Sequence, residues 1–304
     1  MPTNKGSRTL YAMKKTKKEA VVVREFETTI QPKNGWFDLQ LKEMWKYRDL
    51  IFLFVKRNFV SQYKQTVLGP AWALIQPLLT TFVFTFVFGG IAGLAPGGVN
   101  SFLYYLCGTI LWTYFGTSLT MISSTFITNS NILGKVYFPR MVMPVSTVIT
   151  NLISLGIQFV FFLLVWLFFL LTGEGMAPNL HLLWLPLLVI QTSFLALGFG
   201  IIISSLTTKY RDLSMLVTFG VQLWMYATPV AYPASMFAGS RFYDLFWCNP
   251  MAPIVETFRY ALLGPGAAQL RLPYLLLSNV VTLVVLFFGA VLFNRVEKNF
   301  MDTV

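Results

Sequence analysis

From Ala71 onward the chain is dominated by long apolar stretches broken by short polar punctuation. Six stretches read as membrane spans: residues 71–94, 101–127, 142–171, 181–206, 213–230 and 273–293. Each is about 18 to 30 residues long, enough helix to cross a hydrocarbon core about 30 Å thick with some tilt. None of the six contains Asp, Glu, Lys or Arg. Pro70 stands at the start of the first, a position where its missing N–H costs nothing.

Ahead of the spans, residues 38–63 follow a helical period. Leu41, Met44, Trp45, Arg48, Ile51, Phe52, Val55 and Phe59 recur at three- and four-residue steps, with Lys42, Lys46, Lys56 and Arg57 between them. The apolar part, residues 50–55, is too short to span. The pattern predicts an amphipathic helix lying in the inner interface, with Asp38 as N-cap and Trp45 and the lysines as anchors. Residues 231–272 are too apolar for an ordinary loop. Asn249-Pro250 reads as a helix start and Gly264-Pro265 as its stop. The helix between them, about 14 residues and about 21 Å, does not cross. The expectation is a re-entrant outer helical hairpin between the fifth and sixth spans, with Glu256 and Arg259 spaced to pair.

The predicted fold class is therefore an all-α membrane protein of six transmembrane helices. Residues 1–35 form a polar cytoplasmic arm, 36–68 the interface helix and 69–304 the membrane domain. No signal peptide is expected, because no apolar stretch follows the basic start before residue 50.

Composition changes this picture little. The chain is 56% hydrophobic and 12% charged, with a mean hydropathy of +0.64. Charge adds orientation. Of 23 Lys and Arg, 14 precede Gly69, and Lys135, Arg140, Lys209, Arg211, Arg295 and Lys298 lie in short loops or after the last span. Placing these groups on one side leaves only Arg241, Arg259 and Arg271 opposite. The positive-inside rule then sets both termini in the cytoplasm, as an even number of crossings also requires. Nucleic-acid binding is the weaker account of the net charge of +11, because the basic residues track the membrane boundaries. The two cysteines, Cys107 and Cys248, supply no disulfide framework.

Charge-free spans disfavour proton or sodium coupling, which normally needs ionisable groups at membrane depth. One histidine and no carboxylate cluster leave hydrolase and metal chemistry without parts, and the expected catalytic and metal sets are empty. Gly134-Lys135 is followed by Val136, which is not a phosphate-binding loop. Active transport would have to draw its energy from another polypeptide.

The stretch Arg57-Asn58-Phe59, then Tyr63-Lys64-Gln65-Thr66-Val67-Leu68-Gly69-Pro70-Ala71-Trp72-Ala73-Leu74-Ile75-Gln76-Pro77, resembles the permease subunits of ABC-2 type polysaccharide exporters. The similarity continues in residues 131–140, in Lys209-Tyr210-Arg211-Asp212 and in Asn249-Pro250. It runs from about residue 40 to the end. The resemblance implies the membrane subunit of an ABC transporter in a bacterial cytoplasmic (inner) membrane. It further implies a homodimer with two copies of a separate ATP-binding subunit that holds ATP and Mg. The substrate it implies is a lipid-linked polysaccharide of the O-antigen, capsule or teichoic acid type. An ABC-2 exporter of a drug or lipid shares the fold and is the alternative. A membrane-embedded glycan enzyme would need paired carboxylates, which are not evident.

Candidate sites follow from the resemblance and the residue types together. The first inner loop, with Asn131, Ile132, Leu133, Lys135, Tyr137 and Phe138, is expected to couple to the ATPase, as is Arg211. Lys56, Arg57 and Lys64 are expected to receive a lipid diphosphate, although anchoring to anionic lipid explains them as well. Trp112, Tyr114, Trp224 and Tyr226 lie deep in spans, where Trp and Tyr need polar partners. With Tyr104 they are candidates to line a glycan channel, and helix packing is the competing account. Asn249, Pro250, Glu256 and Arg259 mark the outer gate. Stripes of small residues, Ser146/Thr150/Ser154 and Ala196/Gly200/Ser204, predict close helix packing.

Overall fold

A computed structural model describes residues 41–299, except 134, 137, 174–178, 208–209, 211 and 242. Side chains are described from Met44 to Arg295, Leu133 also excepted. The polar arm, Asp38, Tyr137 and Arg211 lie outside the described residues.

The described elements are all helical. A short α1 (Leu41–Lys46) leads into α2 (Arg48–Tyr63), α3 (Trp72–Phe84) and α4 (Ser101–Ser123). Two single turns, α5 (Thr125–Thr128) and α6 (Ser130–Leu133), precede α7 (Val142–Leu171), α8 (Leu185–Thr207) and α9 (Leu213–Tyr226). The last described elements are α10 (Tyr243–Trp247), α11 (Met251–Leu263) and α12 (Leu272–Asn299).

Four segments are long and apolar enough to cross a membrane: Gly69–Ile91, Val142–Leu171, Leu180–Thr207 and Leu272–Arg295. In the first, α3 carries Pro77 internally and continues as a π-helix, Thr85–Ile91. Thr81 Oγ1 donates to the Pro77 carbonyl at 2.7 Å and lies 2.7 Å from Thr109 Oγ1 of α4.

The other two predicted spans differ from this set for separate reasons. At 23 residues α4 is long enough, but Ser, Thr, Tyr and Gly dilute its hydrophobicity. It tolerates them because it is the central helix, buried along most of its length against α3, α7, α8, α9 and α11. A helix shielded by protein need not present an apolar surface to lipid. The fifth segment is helical for only 14 residues and stops at Tyr226, short of the expected Val230. Pro229 explains the stop, since it lacks an N–H and disfavours helical geometry at Thr228 before it.

Packing follows the small residues. A Cβ added to Gly289 of α12 would stand 2.8 Å from the Gly198 carbonyl oxygen of α8, so these two backbones nearly touch. Such contact is what glycine permits in membrane bundles. Ser146 and Thr150 on α7, and Ala196 and Ser204 on α8, are buried as their spacing predicts. Polar pairs cross-link the helices: Asn151 Nδ2 donates to Ser118 Oγ at 3.1 Å, Gln191 Nε2 to Ser278 Oγ at 2.9 Å, and Tyr114 OH lies 2.6 Å from Ser193 Oγ. Bonds of this kind contribute on average about 0.6 kcal/mol each.

The apolar row of the interface helix is divided differently from the sequence expectation. The helix breaks at Tyr47, and α2 buries Ile51, Phe54, Val55 and Tyr63 as it packs on α7. Phe52, assigned to the same row by spacing, is 66% exposed, as are Trp45 and Leu53 to similar degrees. One side of α2 is thus committed to the bundle, and a second apolar side is left facing outward.

Candidate functional site

The helix α11 occupies the end of the bundle away from α2, held by polar bonds to its neighbours. Its start lies one residue later than the sequence signal suggests: Pro250 precedes the helix, and Asn249 Oδ1 accepts the Met251 amide at 3.2 Å. The same oxygen accepts Trp224 Nε1 of α9 at 3.0 Å. Asn249 Nδ2 donates to the Ala227 carbonyl and to Thr228 Oγ1, both at 3.0 Å. Ser278 of α12 donates to the Pro250 carbonyl at 2.6 Å. At the other end of α11, Gly264 takes φ +83°, which an L side chain rarely adopts, and so stops the helix.

Arg259 is the centre of this arrangement and is 0% exposed. Its Nη1 donates to the Pro229 carbonyl and, at 2.9 Å, to Tyr104 OH. Its Nη2 donates to the Val230 carbonyl at 2.6 Å. The guanidinium carbon lies 4.0 Å from the centre of the Tyr104 ring. Glu256, also buried, faces it at 3.4 Å and accepts the Gln269 amide at 3.2 Å. Gly108 of α4 makes room, because a Cβ there would collide with the guanidinium. A cation against carbonyls just past the end of α9 also opposes the negative end of that helix dipole. Asn249, Pro250, Glu256 and Arg259 thus sit on or just before one element, and Asn249 and Arg259 clamp the same turn, residues 227–230.

Beside this turn is a groove of about 550 Å³ walled by Trp224, Tyr226, Tyr232, Phe237, Phe246 and Asn249, among others. Phe237 and Phe246 stack with centroids 5.1 Å apart, and Tyr232 OH donates to the Tyr226 carbonyl at 2.7 Å. Five aromatic rings around an open groove offer flat apolar faces with few fixed polar demands. Depth in the fifth predicted span pointed to Trp224 and Tyr226. It did not reveal Tyr232, Phe237 and Phe246, whose role depends on how the segment after α9 folds back.

The five candidate channel aromatics are divided by the structure. Tyr104, Trp112 and Tyr114 are buried within the chain: Tyr104 holds Arg259, Tyr114 meets Ser193, and Trp112 packs edge-on to Trp224 at 6.3 Å. Trp224 is partly buried and Tyr226 is exposed, and both wall the groove.

At the α2 end, Phe138 is buried against Phe54 at 5.6 Å and Ile132 is partly buried, whereas Asn131 and Lys135 are exposed. Leu133 closes α6. Lys56 and Lys64 are exposed. Arg57 is not free: it donates to Asn58 Oδ1 at 3.0 Å and to Asn129 Oδ1 at 3.2 Å, over the Phe54 ring at 4.6 Å. Partial burial draws its pKa below the ordinary guanidinium value. His181 packs on Tyr260 and Trp184. Among the described residues no three His, Cys, Asp or Glu converge to hold a metal.

Residues 49–263 match the family described as ABC-2 type transporter. Two curated relatives from Klebsiella pneumoniae, each named O-antigen export system permease protein RfbA, are 28% identical over 255 residues, covering 84% of this chain and 94% of the relative. A relative of the same name from Myxococcus xanthus is 26% identical over 221 residues, covering 72% and 82%. The family match spans well over half of the chain and takes in every helix from α2 to α11 apart from the first residue of α2. The chain is a membrane protein of the ABC-2 type transporter family.

Proposed function

We propose that the chain is the permease subunit of an ATP-driven exporter that moves a lipid-linked polysaccharide, of the O-antigen, capsule or teichoic acid type, across the cytoplasmic membrane. The observation that carries this reading is the similarity to O-antigen export permeases over most of both chains. The aromatic groove and the charge-free spans support it, because a long neutral glycan needs surfaces that tolerate sliding rather than fixed charges that hold it.

In this reading the membrane is crossed six times, by α3 with its π-helical continuation, α4, α7, α8, α9 and α12. Helices α10 and α11 dip back as the outer hairpin, and both termini are cytoplasmic. Two copies of the chain assemble with two ATP-binding subunits, which hold ATP and Mg. The α5–α6 loop and α2 meet those subunits. Asn131 and Lys135 present the contact, and Phe138 anchors the loop to α2, so that ATPase closure is passed on as a push on a rigid pair. Lys56 and Lys64 remain available to a lipid diphosphate, whereas Arg57 is tied to Asn129.

Disruption of the gene tests the reading. Surface glycan should disappear while its lipid-linked form accumulates inside the cell, and the intact gene should restore export only with an ATPase-competent partner. Undiminished surface glycan, or rescue by a partner unable to hydrolyse ATP, overturns it.

A further inference from the structure

At the α2 end of the bundle, α2, α3, α4 and α7 line a half-open cavity of about 290 Å³, separate from the aromatic groove. No charged side chain lines it, and most of the side chains that do carry hydrogen-bonding groups. Gln158 of α7 is the informative one. It is 4% exposed, and its Nε2 donates to the Ala73 carbonyl at 2.9 Å, joining α7 to α3. Its Oε1 has no hydrogen-bond partner. A buried acceptor left unpaired is costly, so the cavity beside it is where a donor belongs.

The surroundings say which donor. Asn151 lies seven residues, about two helical turns, back on α7, and Ser154 Oγ stands 3.2 Å from Tyr63 OH of α2. Thr113 and Thr117 add hydroxyls from α4, and Trp72, half exposed, supplies an aromatic face. Neutral donors and acceptors beside one indole suit an uncharged, hydroxyl-bearing ring. A diphosphate would find no cation in the lining, and an acyl chain would leave Gln158 Oε1 without a partner. The volume lies at the small end of ligand pockets, the size for one ring rather than a chain.

We propose that this cavity is a saccharide subsite that takes one uncharged pyranose unit of the transported glycan, with Gln158 Oε1 accepting a hydroxyl hydrogen and Trp72 covering a ring face. The inference rests on the export reading and adds a recognition site to it. Sugar headgroups of membrane glycolipids share this chemistry, so the test separates the two sources.

A photo-crosslinking amino acid is placed at Gln76 or Thr117 in the cavity, and at Leu79 or Val160, exposed positions outside it, in the full permease with its ATP-binding partner in native membranes. Adducts are probed with antibody to the cell's own surface glycan. Adducts should form at Gln76 and Thr117 and not at Leu79 or Val160. Adduct yield at Gln76 should fall about three- to tenfold with Thr117→Val, which keeps the side-chain shape and loses one hydrogen-bonding group. Gln158→Leu should lower it further, and Thr117→Val should lower export without lowering the amount of permease. Equal adducts at all four positions, or adducts confined to Leu79 and Val160, overturn the subsite and leave export standing. A sugar adduct that persists in cells unable to assemble the glycan identifies a glycolipid and also overturns it. Intact surface glycan after gene disruption overturns the export reading itself, and the subsite with it.

Discussion

Two arginines at opposite ends of the bundle show how differently a membrane protein can use one side chain. Arg57, on α2, is partly buried near a row of exposed lysines, with two asparagine oxygens and one ring as neighbours. Arg259, on α11, has no exposure and is enclosed by two backbone carbonyls, the hydroxyl and ring of Tyr104, and a carboxylate. Near the surface water can replace any lost partner, so the charge is adjustable. In the interior each partner is obligatory, so the charge becomes a fastening. The lesson is that the far-end hairpin is fixed to α9 and α4 by a group that cannot be released cheaply, while the α2 end is built from contacts that can be remade.

Breaking the buried fastening should have the largest effect. Arg259→Leu leaves Glu256 without its counter-charge in the interior and two carbonyls unpaired, a loss of about 3–5 kcal/mol. The variant should fail to accumulate in the membrane, or should melt far below the parent in a detergent thermal-shift assay. Accumulation and melting like the parent would mean the enclosure is not what holds α11. Arg259→Lys keeps the charge but not the forked donors, and should fall between the two.

Next in size is Gly108→Ala, which touches the same centre from the α4 side. The added Cβ must push the guanidinium from its place, and overpacking of this kind costs about 1–3 kcal/mol. Gly289→Ala, where the backbones of α8 and α12 nearly meet, should cost a similar amount by the same mechanism. Comparing the two sharpens the contrast. In a double-variant cycle only Gly108→Ala should be non-additive with Arg259→Lys, since its obstacle is the guanidinium itself, whereas Gly289 meets the Gly198 carbonyl oxygen and the Ile201 side chain.

Smaller again is the effect of opening the aromatic groove. Trp224→Phe removes the bond to Asn249 and should cost about 1 kcal/mol, with export reduced more than protein level if the groove carries glycan. Trp112→Ala serves as the packing control, because Trp112 is buried against Phe115 and Trp224. Export loss in the Trp112 variant alone would make the rings structural and leave the groove without a transport role.

How much of this was legible in the sequence depends on the range of the interaction concerned. Four of the predicted spans were, because hydrocarbon filters charge out of each stretch locally. The Glu256–Arg259 pair was too, because three residues apart on a helix is a local geometry. The depth of burial of Arg259 was not: Tyr104 lies 155 residues away, and the carbonyls of residues 229 and 230 carry no sequence signal at all. Likewise the polar content of α4 is accounted for only by its central position, which spacing does not show. The row on α2 was misdivided because spacing alone did not distinguish which of its apolar sides meets α7.

The smallest expected effect falls on Arg57, and its smallness is informative. The bond to Asn129 ties α2 to the turn between α5 and α6, the two elements proposed to receive the ATPase. Exposed or half-exposed polar pairs contribute about 0.2–1 kcal/mol, so Arg57→Ala should leave membrane levels and melting temperature almost unchanged. If the bond passes motion between α2 and the loop, the same variant should weaken the coupling of ATP hydrolysis to export. Asn129→Ala should reproduce this, and the double variant should be no worse than either single one. Such non-additivity is the signature of one shared contact. Two full and independent losses would instead place Arg57 and Asn129 in separate roles, with Arg57 returned to the lysine row as a lipid-facing charge.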